Sequence, residues 1–225
     1  MRDKVIVITG GFGALARGVR EAALAQGARV ALIDYAPAPA EFANDPLALG
    51  GVDITKFDAA SAALKQINDK AGRIDAVLNI AGGFVWRPLT EADAATWDRM
   101  YEINVKTAMN ASKAALPYLE AARGAIVNVG AAAALKAGAG MGAYAASKAG
   151  VLKLTESLAE ELKGKVRVNA VLPSIIDTAA NRKDMPNADF TTWVQPQELA
   201  NVMLFLASDA ASAVTGALIP VTGRV

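Results

Sequence analysis

The sequence contains no cysteine and no histidine. Without cysteine, the chain can form neither a disulfide nor a reactive thiolate. Without histidine, it lacks the side chain that most often serves as a general base or metal ligand at neutral pH. Acid–base chemistry must therefore fall to tyrosine, lysine, aspartate or glutamate, and we expect no metal site.

An excess of charge of either sign is also missing, because 23 basic residues are balanced by 22 acidic ones. This balance gives no support to a nucleic-acid-binding or membrane-surface role. No apolar run approaches the roughly 20 residues that cross a bilayer. Residues 1–4 lead directly into a strand-like run and not into a signal peptide. We therefore expect a cytoplasmic protein that binds neither nucleic acid nor membrane.

Small and apolar residues are abundant instead, and hydrophobic residues make up 53% of the 225 positions. Short apolar runs alternate with helical patterns, and no linker or internal repeat interrupts them. This alternation predicts one α/β domain over residues 1–225 with a doubly wound parallel sheet. Predicted strands lie at 5–8, 29–33, 50–53, 75–80, 125–129, 166–172 and 217–221. Predicted helices lie at about 14–26, 57–71, 96–120, 142–163 and 196–206, with Pro117 expected to bend or fray the third.

A glycine-rich turn lies between the first strand and the first helix. Gly10 permits a tight turn, Gly13 lets the backbone approach a pyrophosphate, and Ala16 allows close helix–strand packing. Asp34 ends the next strand, where a carboxylate would bond the adenosine ribose hydroxyls and repel a 2′-phosphate. No Arg or Lys follows Asp34 closely, so we expect NAD(H) to be favoured over NADP(H).

Tyr144 and Lys148 are four residues apart, in the stretch Gly142–Gly150. On a helix they would lie one turn apart on one face. An ammonium beside a phenol favours the phenolate and is expected to lower the tyrosine pKa, which suits acid–base catalysis. The alternative is an ordinary helix face with a lysine that reaches to solvent.

Farther along, a polar stretch around 174–195 follows a strand end and is predicted to be a substrate lid.

Together these features resemble the short-chain dehydrogenase/reductases along essentially the whole chain. The resemblance rests on residues at family-like spacing: Thr9-Gly10…Gly13, Asp34, Asp53, Asn79…Ala81-Gly82, Asn104, Tyr144…Lys148 and Pro173…Thr178. It implies a Rossmann-type sheet of seven strands in the order 3-2-1-4-5-6-7, a small-molecule substrate, and a homodimer or homotetramer.

The resemblance also implies roles for individual residues. Tyr144 would protonate the substrate oxygen as the nicotinamide delivers hydride, Lys148 would hold the nicotinamide ribose, and Asn104 would support the lysine through a water relay. Asp53 would meet the adenine amino group, and Thr178 the carboxamide or pyrophosphate. The full expected cofactor site is Thr9, Gly10, Phe12, Gly13, Ala14, Leu15, Asp34, Asp53, Asn79, Ala81, Gly82, Tyr144, Lys148, Pro173, Ile176 and Thr178.

One departure from the family concerns a serine that is expected about a dozen residues before the tyrosine. Here the stretch is Gly130 followed by alanines at 131–134, with no hydroxyl. This loop, and the run from Leu172 to Trp193, resemble the quinonoid dihydropteridine reductase branch, which also lacks the serine. Three functions therefore stay open: reduction of a small carbonyl or conjugated acceptor, reduction of a quinonoid dihydropterin, and nucleotide binding without efficient catalysis.

The expected substrate pocket includes four residues at strand or loop ends. Trp86 and Trp193 could stack on a planar substrate, or each could cap the core beside a loop. The expected substrate residues are Trp86, Ala131, Asn181 and Trp193.

Overall fold

Short runs of aliphatic residues form the strands of a single parallel sheet in this computed structural model, which describes all 225 residues. The seven strands, numbered in chain order, lie in the order 3-2-1-4-5-6-7, which confirms the predicted Rossmann-type α/β fold. Their bounds are β1 Val5–Thr9, β2 Arg29–Ile33, β3 Ala48–Leu49, β4 Ala76–Asn79, β5 Ala125–Val129, β6 Arg167–Pro173 and β7 Leu218–Val221.

Helices cover both faces of the sheet, because successive strand residues point to opposite sides. Ile6 and Ile8 pack with the first and last of the seven helices, whereas Val7 packs in a second cluster with the second, fourth and fifth. The helices are α1 Ala14–Ala25, α2 Phe57–Ala71, α3 Ala94–Tyr101, α4 Thr107–Ala122, α5 Gly142–Glu161, α6 Ala179–Asp184 and α7 Pro196–Ala207. None of them combines the length and apolar character that a membrane crossing demands.

The third strand differs from its prediction. It is a two-residue edge strand at Ala48–Leu49, paired with Leu32 and Ile33 of β2, and not a strand over 50–53. Gly50 comes after it and approaches the Ala38 backbone so closely that a Cβ atom would collide there. The chain beyond Leu49 stays beside the segment that follows β2, where the Gly51 and Val52 amides donate to the Ala36 and Asp34 carbonyls at 2.9 Å, but it does not continue as a strand.

The long helix predicted over 96–120 is built from three pieces. Between α3 and α4 lies a π-turn, Glu102–Lys106, with wider i→i+5 winding. Pro117 does not end α4, which continues to Ala122. A proline removes one backbone hydrogen bond, and the buried Ala114, Ala115 and Leu119 hold the helix on the sheet across that point.

The stretch predicted as a substrate lid contains α6 and two ends that meet. Ile176 and Val194 form an isolated parallel bridge, and the Asp177 amide donates to the Val194 carbonyl over 2.8 Å. Asp177 also pairs with Arg182 at 2.6 Å and accepts from Gln195 at 3.0 Å. Its hydrogen bonds with Arg182, and then Gln195, lower the pKa of Asp177 to about 2. The Ile176–Val194 bridge and the bond from Gln195 to Asp177 thus close the stretch into a loop, and the Asp177–Arg182 ion pair, which stays charged at neutral pH, ties α6 to the start of that loop.

Candidate active site

The glycine turn brings the ends of β1 and β4 together at the point where the strand order reverses. Gly10 has φ +65°, and a Cβ atom there would lie 2.9 Å from the Ala81 Cα, so only glycine fits. Gly13 is the N-cap residue of α1 and has no side chain that could accept a hydrogen bond. The backbone amides of the first turn, at Ala14 and Leu15, therefore remain available as donors. A helix N-terminus with open amides is suited to the pyrophosphate of a dinucleotide.

A cleft of about 1270 Å³ opens above this turn. Asp34 lies in its wall, where its carboxylate accepts from the Phe12 and Ala36 amides, each at 2.9 Å. A carboxylate has about four acceptor positions, so Asp34 keeps capacity for ribose hydroxyls. Nine of the residues that the sequence predicted to bind the cofactor line this cleft: Gly10, Gly13, Ala14, Leu15, Asp34, Asp53, Ala81, Gly82 and Thr178. Its size, open amides and free carboxylate capacity fit a nicotinamide dinucleotide.

Other predicted cofactor residues lie outside the cleft wall, and the structure gives several of them structural partners. Thr9 is buried and accepts from the Ala81 amide at 3.2 Å. Asn79 is buried, and its side chain donates to Asn128 at 2.8 Å and Ser112 at 3.0 Å. Phe12 stacks on Phe42 with ring centroids 5.5 Å apart. Pro173 ends β6, and Ile176 packs against the core beside Val194.

Tyr144 and Lys148 lie one turn apart on α5, as predicted. Lys148 is only 5% exposed, and its Nζ donates to the Val129 carbonyl at 2.8 Å. Burial of the ammonium lowers the pKa of Lys148 to about 8. A Cβ atom on Gly82 would lie 3.4 Å from this Nζ, so the ammonium reaches the wall of the cleft.

The environment of Tyr144 corrects one expectation. Its ring is half-buried and contacts the Phe84 ring edge to face, with centroids 4.9 Å apart and planes at 87°. Burial raises the pKa of Tyr144 to about 12, whereas the helical spacing to Lys148 predicted a lowered pKa. The phenol therefore holds its proton at neutral pH and is ready to act as an acid.

Asn104 lies in the π-turn, and its side-chain amide forms hydrogen bonds with both backbone groups of Gly83. Its Oδ1 accepts from the Gly83 amide at 3.0 Å, and its Nδ2 donates to the Gly83 carbonyl at 3.1 Å. The same Nδ2 donates to Ser147 at 3.0 Å, and Ser147 donates to the backbone carbonyl of Tyr144 at 2.7 Å. Ser147 is thus directed away from the Tyr144 hydroxyl. The water relay from Asn104 to Lys148 stays a prediction.

The loop after β5 confirms that no side-chain hydroxyl stands where the family serine is expected. Ala131 is buried, and residues 132–134 form a short 3₁₀ turn of three alanines. The other expected substrate residues differ in exposure. Trp86 is largely exposed, whereas Trp193 is only 2% exposed and packs against Phe190, which favours its core-capping interpretation. Asn181 donates to the Ile176 carbonyl at 2.7 Å and so links α6 to the residues before it.

Two elements of the site were missed in the sequence. The Val129 carbonyl is the acceptor for Lys148, and a backbone atom carries no sequence signal. Phe84 contacts Tyr144 across 60 positions of the chain. The signal that could have pointed to it is an aromatic residue directly after the run Ala81-Gly82-Gly83 at a strand end, where ligands of open α/β sheets bind.

Comparison with known proteins agrees with this geometry. The family model for short chain dehydrogenases matches residues 4–189. The chain is 35% identical over 246 residues to 2-(S)-hydroxypropyl-CoM dehydrogenase 3 of Xanthobacter autotrophicus, covering 99% of this chain and 96% of that one. It is 33% identical over 235 residues to meso-2,3-butanediol dehydrogenase of Serratia marcescens, covering 98% and 94%.

A solved structure extends the comparison to three dimensions. The structure of carveol dehydrogenase from Mycobacterium avium in complex with NAD superposes with a TM-score of 0.88 at 27% identity, covering 99% of this chain and 97% of that chain. The chain therefore belongs to the short-chain dehydrogenase family, whose enzymes are oxidoreductases that bind a nicotinamide cofactor.

Proposed function

We propose that this enzyme uses NAD(H) to interconvert a small ketone, or a related conjugated acceptor, and its reduced form. The observation that carries the proposal is the pair on α5: a protonated Tyr144 with a buried Lys148 ammonium one turn away, at the wall of the dinucleotide cleft. A bound nicotinamide would supply or accept the hydride. We place the protein in the cytoplasm as a homodimer or homotetramer.

The chain's own residues divide the remaining work. The Tyr144 hydroxyl would donate its proton to the acceptor oxygen during reduction, and take one back during oxidation. The Lys148 ammonium would stabilise the phenolate that this transfer leaves behind, because an opposite charge nearby favours the charged form. Asp34 and the first-turn amides of α1 would hold the adenosine ribose and the pyrophosphate.

The substrate class draws support from the relatives. The names of the two dehydrogenases above state that they act on a hydroxypropyl group and on butane-2,3-diol, which supports a secondary alcohol and its ketone here. The test is a panel of secondary alcohols, ketones and quinonoid dihydropterin, assayed through the absorbance of NADH. Cofactor binding without turnover of any acceptor would instead favour a nucleotide-binding sensor or scaffold.

Dihydropteridine reduction is the second candidate, and the alanine run at 131–134 is the observation that favours it. In a quinonoid acceptor, added charge is delocalised over the conjugated ring, so one proton donor could suffice. A simple ketone concentrates the charge on one oxygen and gains more from a second donor. Preference for quinonoid dihydropterin over ketones would support this candidate, and preference for ketones would exclude it.

Substituting Ala131→Ser is expected to raise kcat/KM for simple ketones roughly tenfold. A preorganised donor to an oxyanion contributes about 10²–10³ in kcat, and a newly introduced hydroxyl should recover part of that. Steady-state assays with NADH would measure the change, with Ala133→Ser in the same turn as the matched control. Equal or lower ketone activity in Ala131→Ser, with its fold intact, would contradict the assignment of this position.

NADH is expected to bind at least about tenfold more tightly than NADPH, because the Asp34 carboxylate would repel a 2′-phosphate. Titrations that follow NADH and NADPH fluorescence would measure both dissociation constants. In Asp34→Ser the difference should shrink. Glu41→Gln, which removes an exposed negative charge from the neighbouring segment, should leave it unchanged. Equal affinities in the unmodified enzyme would overturn the role of Asp34.

A further inference from the structure

The chain between β4 and α3 carries two aromatic residues in a short stretch that we call the aromatic segment, residues 83–88. Its first anchor is the Asn104 amide, which holds both backbone groups of Gly83 at 3.0 and 3.1 Å. A Cβ atom on Gly83 would lie 2.7 Å from Ile103 Cδ1. Glycine therefore lets this backbone lie directly against the π-turn.

A second anchor ties the other end of the aromatic segment to the loop before α5. The Trp86 Nε1 donates to the Ala139 carbonyl at 2.9 Å, and the Arg87 amide donates to the Gly140 carbonyl at 2.8 Å. Gly140 has φ +73°, and a Cβ atom there would collide with the Trp86 ring, 2.5 Å from its Nε1. Both its conformation and its contact with the indole require glycine.

Phe84 lies between the two anchors, and its position is unusual for a large apolar side chain. It is 55% exposed, yet its ring is held edge to face on Tyr144. Core packing does not account for this placement, because much of the ring faces solvent. The backbone anchors at Gly83 and at Trp86–Arg87 place the ring there instead.

We propose that Phe84 is a positioning residue for the proton donor Tyr144 and also the apolar wall of the acceptor pocket. The preferred acceptors would then carry a flat aromatic or conjugated ring next to the reacting oxygen. This inference rests on the proposed function, because it takes Tyr144 as the acid. Neither the family match nor the glycine turn requires an aromatic residue at position 84.

The first physical reason is desolvation. The charged groups on the elements around Tyr144 are Lys148, Arg87, Lys136, Asp98 and Arg99. None of them contributes to the shift in the Tyr144 pKa, which burial alone raises. The Phe84 ring is an apolar surface in direct contact with the phenol, so it keeps water away and keeps the phenol neutral.

The second reason is the open part of the Phe84 ring. Aromatic pairs gain from stacking or edge contacts beyond the area that they bury, which corresponds to a roughly two- to tenfold effect on binding. An acceptor that reaches the Tyr144 hydroxyl must approach beside this ring. Aromatic ketones should therefore be favoured over aliphatic ketones of similar reactivity.

The experiment compares the unmodified enzyme with Phe84→Ala, Phe84→Trp and the matched control Leu89→Ala, which removes an exposed apolar side chain just beyond the segment. Phenol ionisation is followed by ultraviolet absorbance, and each spectrum is corrected with the corresponding Tyr144→Phe protein. In Phe84→Ala the Tyr144 pKa should fall by about one unit or more towards its ordinary value. Phe84→Trp and Leu89→Ala should leave it close to that of the unmodified enzyme.

The second readout is the ratio of kcat/KM for acetophenone to that for butan-2-one, measured with NADH. It should fall two- to tenfold in Phe84→Ala, with NADH affinity unchanged, and be retained in Phe84→Trp and Leu89→Ala. An unchanged pKa or an unchanged ratio in Phe84→Ala would overturn the inference. If no ketone is turned over but the pKa shifts, the positioning role stands while the proposed function falls.

Discussion

Replacement of Tyr144 by phenylalanine is expected to lower kcat for every acceptor by a factor of about 10³, within the 10²–10⁴ range of a general acid. Phenylalanine keeps the ring that contacts Phe84 and removes only the hydroxyl. The loop after β5 offers no hydroxyl in its place, because it carries alanines, and the Ser147 hydroxyl is bonded to a backbone carbonyl. The loss should therefore appear in full.

The measurement is kcat and KM, with NADH for reduction and with NAD⁺ for oxidation, accompanied by a fluorescence titration of NADH. Cofactor affinity should be nearly unchanged, because the cleft wall formed by Asp34 and the glycine turn is untouched. Tyr101→Phe, which removes an exposed hydroxyl on α3, is the matched control and should retain activity. Turnover of Tyr144→Phe at the unmodified rate would show that another group is the acid.

The second large effect is expected for Lys148→Met, which should abolish most turnover and yet stabilise the fold of the cofactor-free protein. The Lys148 ammonium is buried with one hydrogen bond, to the Val129 carbonyl, and no carboxylate pairs with it. A buried charge with so little compensation costs free energy. Methionine has a similar length and removes that cost.

The pH dependence follows from the lowered pKa of Lys148. Below about pH 8 the lysine is charged in both states, and the folded state bears the full penalty. Between about 8 and the ordinary value of 10.5 the folded state releases its proton while the unfolded chain keeps it, so stability rises with pH. Lys148→Met should therefore be more stable by about 1–3 kcal/mol at pH 7, and this advantage should vanish towards pH 10.5.

Urea unfolding at a series of pH values would measure this difference. Lys153→Met is the matched control, because Lys153 lies on the same helix, is exposed and pairs with Glu156 at 2.6 Å. It should show no comparable gain at pH 7. A less stable Lys148→Met protein at pH 7 would mean that the bond to Val129 outweighs the cost of burying the charge.

Patterns over a few neighbouring residues predicted most of the strands and the positions of several site residues. Apolar runs located six of the seven strands, because a buried parallel strand requires continuous hydrophobic residues. The glycine turn, Asp34 and the spacing of Tyr144 to Lys148 also follow from neighbouring residues. The prediction of the third strand was wrong, because a strand of two residues at a sheet edge leaves almost no periodic signal in the sequence.

The direction of side chains could not be predicted, because it depends on distant parts of the chain. The Asn79 side chain, for example, donates to Ser112 on α4 and Asn128 on β5, which lie 33 and 49 positions away along the chain. Lys148 was expected to lower the pKa of Tyr144. Instead its ammonium turns to Val129, and Phe84 covers the phenol. Helical spacing fixes the face of a residue but not the atoms that it meets.

The π-turn has a consequence for the rotational phase of the helices on either side of it. An α-helix rotates about 100° per residue, so one residue more or less in Glu102–Lys106 would turn α3 by about that angle relative to α4. Trp97 would then lose its contact with Gly142, where a Cβ atom would lie 3.5 Å from the indole. Met100, which is buried, would leave the interior. Packing on the sheet sets the phase of α4, and packing on α5 sets that of α3. The π-turn gives each helix the rotation that its own packing requires. A change in its length would therefore cost either the packing of α3 on α5 or the packing of α4 on the sheet.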